Sequence, residues 1–506
     1  MAGNFGIEAA QQALRSDKPA LIWRKQVADI ETPVSAALKL MEAERGDFLL
    51  ESVEGGETRG RHSLIGLAPD LVFRANGQQA EINPNWLNDR KAFEPEQASS
   101  LDALRTLVKR CQMDVPEGLP RALACLVGYF GYETIGLVEK LPRAPQSELD
   151  LPDMLFVRPT VVVIFDRLAD EMFLVAPVWP ETAGDADSKI ARAEERLDEV
   201  ERQIAAPVPA PASQTHDLHP DDLAFEAKLT PEQYKDMVLS AKDYIEAGDI
   251  FQVVLAQRFT APFTLPPVEL YRSLRRINPS PFLFFLDLPG FALIGSSPEI
   301  LVRARDGEVT IRPIAGTRPR GANAAEDKAN RDSLLADPKE RAEHLMLLDL
   351  GRNDVGRVSA ANSVEVTDSY TVEFYSHVMH IVSNVVGELA PDKDALDALF
   401  AGFPAGTVSG APKVRACQII AELEPETRGA YAGGVGYFSP DGSMDSCIVL
   451  RTGIVKDGIL HVQAGAGIVA DSEPAYELRE CEAKSGALLA AAKEAMRRAQ
   501  DTGFGQ

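Results

Sequence analysis

Short apolar runs bounded by turn residues mark the first third of the chain and predict strands at 47–52, 62–67, 71–74, 158–165 and 171–175. The pattern then changes. Residues 188–205 carry charges at i,i+4 spacing and predict an exposed helix. Alternating proline and alanine from 205, followed by polar residues to about 220, favour an extended connection. Past it, Thr230 caps a helix over 231–247 that Gly248 ends. Strand-type runs return at 251–260, 282–287, 301–305 and 309–313, then helical patterns near 324–350, 394–399 and 413–423. Further strands are predicted at 432–438, 447–455 and 459–464, and a closing helix at 474–499. Strands interspersed with helices at hairpin spacing predict an α+β fold with large antiparallel sheets. The connection divides the chain into an N-terminal region 1–204, a linker 205–220 and a C-terminal region 221–506.

Composition narrows the class. A chain of 506 residues exceeds a single ordinary core, so two domains or two fused halves are expected. The net charge of -24 argues against nucleic acid and anionic membranes as partners, since both select basic surfaces. An acidic protein can still hold a basic pocket. Five scattered cysteines without a CxxC pair form neither a disulfide framework nor a zinc site, and they fit a reducing cytoplasm. The opening residues have no apolar core or cleavage pattern, so no secretory signal is expected. The apolar runs are too short to span a bilayer. Walker A and dinucleotide fingerprints are missing from the sequence.

Two glutamate pairs at i,i+3 spacing, Glu340 with Glu343 and Glu477 with Glu480, carry the most chemical information. Each pair projects from one face of a predicted helix. Were the helices to meet, four carboxylates would converge, and a hard divalent cation such as Mg²⁺ would suit them. Spacing alone favours exposed acidic faces on an acidic protein; the neighbouring residues reverse that. Lys484 shares a face with Glu477, either as a surface ion-pair partner or as a carboxylate contact. Glycine-rich turns are predicted at 314–317, 405–413 and 464–467; their exposed N–H groups can cradle carboxylates or phosphates. With Arg451 and Lys413 they point to an anionic organic ligand beside a metal. His380 lies in an apolar stretch, as a structural histidine or as an acid/base group working near neutral pH. His377 and His380 lack a third ligand in a recognisable zinc motif.

Several motifs occur in one order: Phe251-Gln-Val-Val254, Gly295-Ser-Ser-Pro-Glu299, Pro313-Ile-Ala-Gly-Thr-Arg-Pro-Arg-Gly321, Asp349-Leu-Gly-Arg-Asn-Asp354, Val378-Met-His380, Gly406-Thr-Val-Ser-Gly-Ala-Pro-Lys413 and the Glu477/Glu480 helix. This series resembles the chorismate-utilising enzymes. The N-terminal resemblance is thinner, resting on 49–52, 61–66, 128–132 and 151–153. The resemblance implies a four-layer α/β/β/α fold, a β-sandwich of large antiparallel sheets flanked by helices. It implies Glu343 and Glu480 as direct Mg²⁺ ligands, with Glu340 and Glu477 in support. Gly316, Thr317, Tyr431, Arg451, Gly465, Ala466 and Gly467 resemble the chorismate-binding set, with Thr407 and Lys484 near the same pocket.

The implied reaction is amination of chorismate at C2 with loss of the C4 hydroxyl, then elimination of pyruvate to give anthranilate, the first step of tryptophan biosynthesis. Glu340 is the expected acid for the departing hydroxyl, and His380 is expected to assist the elimination. Gln252 stands where hydroxylating relatives carry a water-activating lysine. Ala315 stands where the enzymes that make aminodeoxychorismate usually carry a lysine that can attack the ring. Both substitutions favour ammonia at C2. The alternatives are aminodeoxychorismate formation and, from a different class, an inactive tryptophan-binding regulatory subunit. Glu51 and Ser52, with Pro281, Phe282 and Leu283, resemble a tryptophan feedback site, although relatives more often carry Tyr-Met at 282–283. No glutaminase segment is present in the sequence, so a separate glutamine amidotransferase subunit (component II) is expected, in a heterotetramer of two large and two small subunits.

Overall fold

The computed structural model describes residues 4–54, 58–209, 219–375 and 378–500. Positions 210–218 of the predicted linker and His377 lie outside the described residues. Two antiparallel sheets of twelve strands each organise the chain. The first runs Ala20–Val27, Glu171–Val178, Val161–Asp166, Thr58–Leu67, Asp47–Glu54, Phe282–Leu288, Phe291–Ser297, Thr452–Lys456, Ile459–Ile468, Gln252–Pro262 and Glu226–Ala227, with Gly410–Ala411 added beside Gln252–Pro262. The second runs Ile314–Pro319, Val378–Glu388, Glu308–Ile311, Ile300–Arg305, Met444–Ile448, Gly434–Phe438, Leu126–Phe130, Met154–Arg158, Leu71–Asn76, Gln79–Asn83 and Glu94–Pro95, with Glu365–Phe374 added beside Val378–Glu388.

Strand alternation sends Phe48, Ile164, Phe284 and Leu293 of the first sheet against Val127, Tyr129, Val157 and Val435 of the second, which forms the core between the sheets. Helices Ile7–Arg15, Ala186–Ala205, Pro267–Ile277 and Pro474–Gln500 cover the outer face of the first sheet. Helices Ser100–Arg110 and Ala395–Gly402 bury their apolar faces with residues of the second, while Lys413–Leu423 packs on Gln252–Pro262 of the first. The layers are helix, sheet, sheet, helix, as expected. The linker at 205–220 does not mark a boundary between sheets. The first sheet joins sequence from either side of it where Asp47–Glu54 pairs with Phe282–Leu288, and the second where Leu126–Phe130 pairs with Gly434–Phe438.

Three predicted elements divide, and each division positions chemistry. The run 158–165 splits at Pro159, which cannot donate to a ladder; Met154–Arg158 lies in the second sheet and Val161–Asp166 in the first. The run 447–455 likewise changes sheets, from Met444–Ile448 to Thr452–Lys456. The crossing leaves Arg451 at φ +48°. Both strands are apolar because both are buried, so the hydrophobic pattern could not show the switch. The helical pattern 324–350 breaks at Asp337 and Pro338 into Ala324–Ala336 and Pro338–Gly356. Asp337 caps the second helix by accepting from the N–H groups of Lys339 (2.9 Å) and Glu340 (3.3 Å), which places Glu340 in the first turn.

Candidate functional site

His380 faces Thr317 across the pairing of Val378–Glu388 with Ile314–Pro319. Its Nδ1 lies 2.9 Å from the carbonyl oxygen of Gly316 and 3.1 Å from Thr317 Oγ1. A carbonyl can only accept, so Nδ1 carries the hydrogen and Nε2 of the neutral ring keeps its lone pair. Burial lowers the His380 pKa, the Gly316 bond partly opposes that, and the Arg451 charge lowers it further. The ring is therefore neutral at pH 7 and its free nitrogen can accept a proton. Gly316 sits at φ +69°, where a Cβ would come within 3.0 Å of Glu340 Oε2. The predicted turn at 314–317 is instead part of the strand Ile314–Pro319, and its irregular pairing at Gly316 sets the histidine close to the first glutamate pair.

Glu299 follows the strand Phe291–Ser297 and is only 7% exposed. Thr407 Oγ1 donates to its Oε2 at 3.0 Å. Burial raises the Glu299 pKa to about 8, against the opposing pull of the Thr407 bond and the Arg451 charge. Arg451 is half-buried, and among the described residues no carboxylate forms an ion pair with it. Desolvation lowers its pKa, while Tyr375 and Glu299 act the other way. A partly desolvated cation beside a proton-holding carboxyl favours an anionic ligand.

Glu343 feels burial first, then the charges of Glu340, Lys484, Glu480 and Lys339, and its pKa is raised. Burial raises Glu477 as well, with Glu480 adding to it. The charges of Glu340 and Glu480 both reach Glu343, but among the described residues no three of these carboxylates close into a coordinating group. Each pair takes a cation instead: Arg318 donates to Glu340 at 2.8 Å, and Lys484 pairs with Glu480 at 2.7 Å. An all-carboxylate donor set under mutual repulsion nevertheless fits a hard divalent ion. Lys484 also donates to the Gly465 carbonyl at 3.0 Å, so it is more than a surface ion-pair partner.

Two further sequence expectations are corrected. Gly465, Ala466 and Gly467 are not a turn but lie in the strand Ile459–Ile468, opposite Ala256, Leu255 and Val254. They are small because a Cβ on Gly465 would meet Leu255 O at 2.7 Å, and one on Gly467 would meet Gln252 Nε2 at 2.6 Å. Lys413 does not face a ligand; it pairs with buried Asp354 at 2.8 Å. Gln252 is buried at the start of its strand, and its Oε1 has no hydrogen-bond partner. Ala315 is buried opposite Ile381. Tyr431 is buried beneath the guanidinium of Arg428. A cavity of about 200 Å³, lined by Tyr132, Glu133, Cys417 and Arg428, contains none of the predicted site residues.

The model of the chorismate binding enzyme family matches residues 46–490. The chain belongs to that family. It is an enzyme whose relatives are named anthranilate synthase component 1. The one from Cereibacter sphaeroides is 50% identical over 96% of this chain and 97% of its own. That of Thermus thermophilus is 46% identical over 93% and 97%. The crystal structure of anthranilate synthase component I from Streptococcus pneumoniae superposes with TM-score 0.74 at 36% identity, covering 92% of this chain and 99% of that one. The menaquinone-specific isochorismate synthase of Escherichia coli, 19% identical with TM-score 0.70, shares the fold.

In this chorismate-binding enzyme a second cluster lies at the junction of the two halves in the first sheet. Ser52 pairs with Phe282 and Glu51 with Leu283, and Pro281 immediately precedes that strand. Burial would raise the Glu51 pKa. Arg275, Tyr271 and Arg167 outweigh it and hold the carboxyl below its usual range. Arg275 donates at 2.6 Å and 3.0 Å, Tyr271 at 2.5 Å, and Arg167 also donates to Glu51. The sequence reading assigned no role to Glu299, Tyr375, Arg318, Arg275, Tyr271 or Arg167. Of these, Glu299 and Arg318 fall within the motifs 295–299 and 313–321 of the resemblance.

Proposed function

We propose that the chain aminates chorismate at C2, releases the C4 hydroxyl as water, and eliminates pyruvate to give anthranilate, with Mg²⁺ as cofactor. The observation that carries this is the half-buried Arg451, without an ion-pair partner among the described residues, beside the proton-holding Glu299. Together they suit a ligand that is both anionic and in need of a proton on its leaving group. Arg451 would hold a carboxylate, and Thr317 and Tyr431 would pack beside the ring. Mg²⁺ on Glu343 and Glu480, supported by Glu340 and Glu477, would anchor the ring carboxylate and screen charge.

Glu299 rather than Glu340 is assigned the acid role, because burial keeps a proton on Glu299 near neutral pH whereas Arg318 is engaged on Glu340. Glu299 protonates the C4 oxygen, aligned by Thr407, as ammonia bonds to C2. His380 Nε2 then takes the C2 proton as the C3–O bond breaks, which releases enolpyruvate and makes the ring aromatic. Gln252 offers an acceptor to ammonia but cannot act as a base toward water. Ala315 has no amine with which to attack the ring. Both support amination at C2 over hydroxylation or a covalent route. The cluster at Glu51, Ser52, Pro281, Phe282 and Leu283 is assigned to tryptophan, the pathway end product, as feedback inhibitor.

The deciding experiment incubates the chain with chorismate, ammonium and Mg²⁺, with and without tryptophan. Fluorescent anthranilate is expected, and less of it when tryptophan is present. Aminodeoxychorismate as the product, or no turnover, would overturn the reading. The Glu343→Gln variant is expected to raise the Mg²⁺ concentration for half-maximal turnover at least about tenfold. An unchanged Mg²⁺ titration would remove Glu343 from the metal site.

A further inference from the structure

An imidazole that takes a proton from carbon must have its free nitrogen aimed at that carbon. Both polar contacts of His380, to Gly316 O and Thr317 Oγ1, are made by Nδ1. They fix where Nδ1 sits and leave the ring free to tilt about it. The tilt decides where Nε2 points, so a second contact is needed to set it.

Tyr375 supplies that contact. The strand Val378–Glu388 lies between Ile314–Pro319 and Glu365–Phe374, so Thr317, His380 and Glu373 stand in one row across three strands. Tyr375 follows Glu373 by two residues and turns back over the histidine. The two ring centroids are 5.4 Å apart with planes at 62°, the edge-on geometry that aromatic rings favour. Both side chains are buried. The tyrosine is itself held at both ends. Its N–H donates to Val378 O at 2.8 Å and closes the hairpin, and Arg320 donates to its carbonyl at 2.7 Å. Its hydroxyl donates to Glu373 Oε2 at 2.9 Å, and Arg312 holds the other oxygen of that carboxylate. Arg451 and Glu299 also interact electrostatically with Tyr375, so it borders the three groups that carry the chemistry.

We propose that Tyr375 is a positioning residue for His380: its ring, held between Glu373 and the hairpin, sets the tilt of the imidazole and aims Nε2 at the C2 proton. The inference rests on the elimination step of the reading above and adds a residue to it. In that step Nε2 takes the C2 proton, the C2–H electron pair enters the ring, and the C3–O pair leaves with enolpyruvate. Tyr375 acts only through the imidazole. Amination draws on Glu299 and ammonia instead, so it does not depend on the tilt.

The test uses the whole chain with chorismate, ammonium and Mg²⁺. Tyr375→Leu is expected to slow anthranilate formation roughly 10–100-fold, the cost of about an ångström of misplacement. Chorismate consumption should continue with KM within about twofold, so that aminodeoxyisochorismate accumulates. Tyr375→Phe keeps the ring edge and should stay within about threefold of wild type. Tyr375→Met repeats the measurement with a longer apolar side chain, should the leucine variant not fold. A second readout needs no substrate: nitrogen NMR of isotope-labelled histidine, with the His380 signal assigned by its loss in His380→Gln. Wild type and Tyr375→Phe should show one Nδ1–H tautomer at His380, and Tyr375→Leu a mixture of both. Equal loss of both steps, or wild-type anthranilate formation, in the leucine and methionine variants overturns the positioning role, and so does an unchanged His380 signal. Wild-type chain that forms no anthranilate would instead refute the elimination reading, while the tautomer measurement still decides whether Tyr375 sets the imidazole.

Discussion

Replacing Glu299 with glutamine is expected to lower kcat by about 10²–10⁴-fold, the usual contribution of a positioned proton donor, with chorismate binding largely retained. Glutamine preserves the shape and can still accept from Thr407 Oγ1, which now lies 3.0 Å from the carboxyl. It has no acidic proton to give. The pH dependence supplies an independent readout. Burial raises the pKa of this carboxyl to about 8, so the protonated form required by the reaction dominates below that pH and is lost above it. Wild-type turnover should therefore fall as pH rises through about 8, and the Glu299→Gln variant should lose that alkaline limb. The same shift enters stability. The folded state binds this proton more tightly than the unfolded chain, so the contribution is full at low pH and disappears as pH climbs through 8. A Glu299→Gln enzyme within threefold of wild type would return the acid role to another group.

The largest stability effect is expected at Arg428. Its guanidinium donates to Val408 O and Val254 O at 2.7 Å each, and to Glu424 at 2.9 Å and 2.5 Å. Both members of the pair are about as buried as side chains become, with 1% and 2% exposure. Arg428→Met leaves the Glu424 carboxylate in the interior without a counterion, which costs about 3–5 kcal/mol. In a chain of this length the unfolding entropy is about 1 kcal/mol per degree, so the melting temperature should fall by about 3–5 °C. Neutralising the stranded acid in an Arg428→Met/Glu424→Gln double variant should recover part of the loss, because the two sites are coupled. A double variant no more stable than the single one would show that Glu424 is not the source of the cost. Function should suffer as well. Arg428 packs over Tyr431 and anchors the carbonyl beside Thr407, so its loss loosens two residues of the site.

Much of the fold was legible before the structure because local signals agreed with it. Thr230 and Pro231 open a helix where the capping pattern says they should, and Lys413–Leu423 has the predicted bounds. Burial on both faces erased other signals. The runs 158–165 and 447–455 each read as one strand, yet each changes sheets midway. The glycines of 464–467 read as a turn and proved to be strand positions where neighbouring groups approach closely. In the candidate site, residue type and spacing pointed to His380, Arg451 and the four glutamates, and the family resemblance to Thr407. Glu299 passed without a role because its raised pKa arises from burial, which no local pattern reports.

The sequence alone determined the order of the elements, the antiparallel class, the family resemblance and the identity of Gln252 and Ala315, since these depend on residue type and short-range period. Only the tertiary structure decided that both sheets draw on both halves of the chain. It also decided that the crossing at 449–451 leaves Arg451 half-buried beside Glu299, and that Phe251 faces water while Gln252 next to it does not. The physical reason is that burial and unmatched charge come from residues distant in the chain, so desolvation, which sets the chemistry of Glu299, Arg451 and Gln252, is a property of the packed fold.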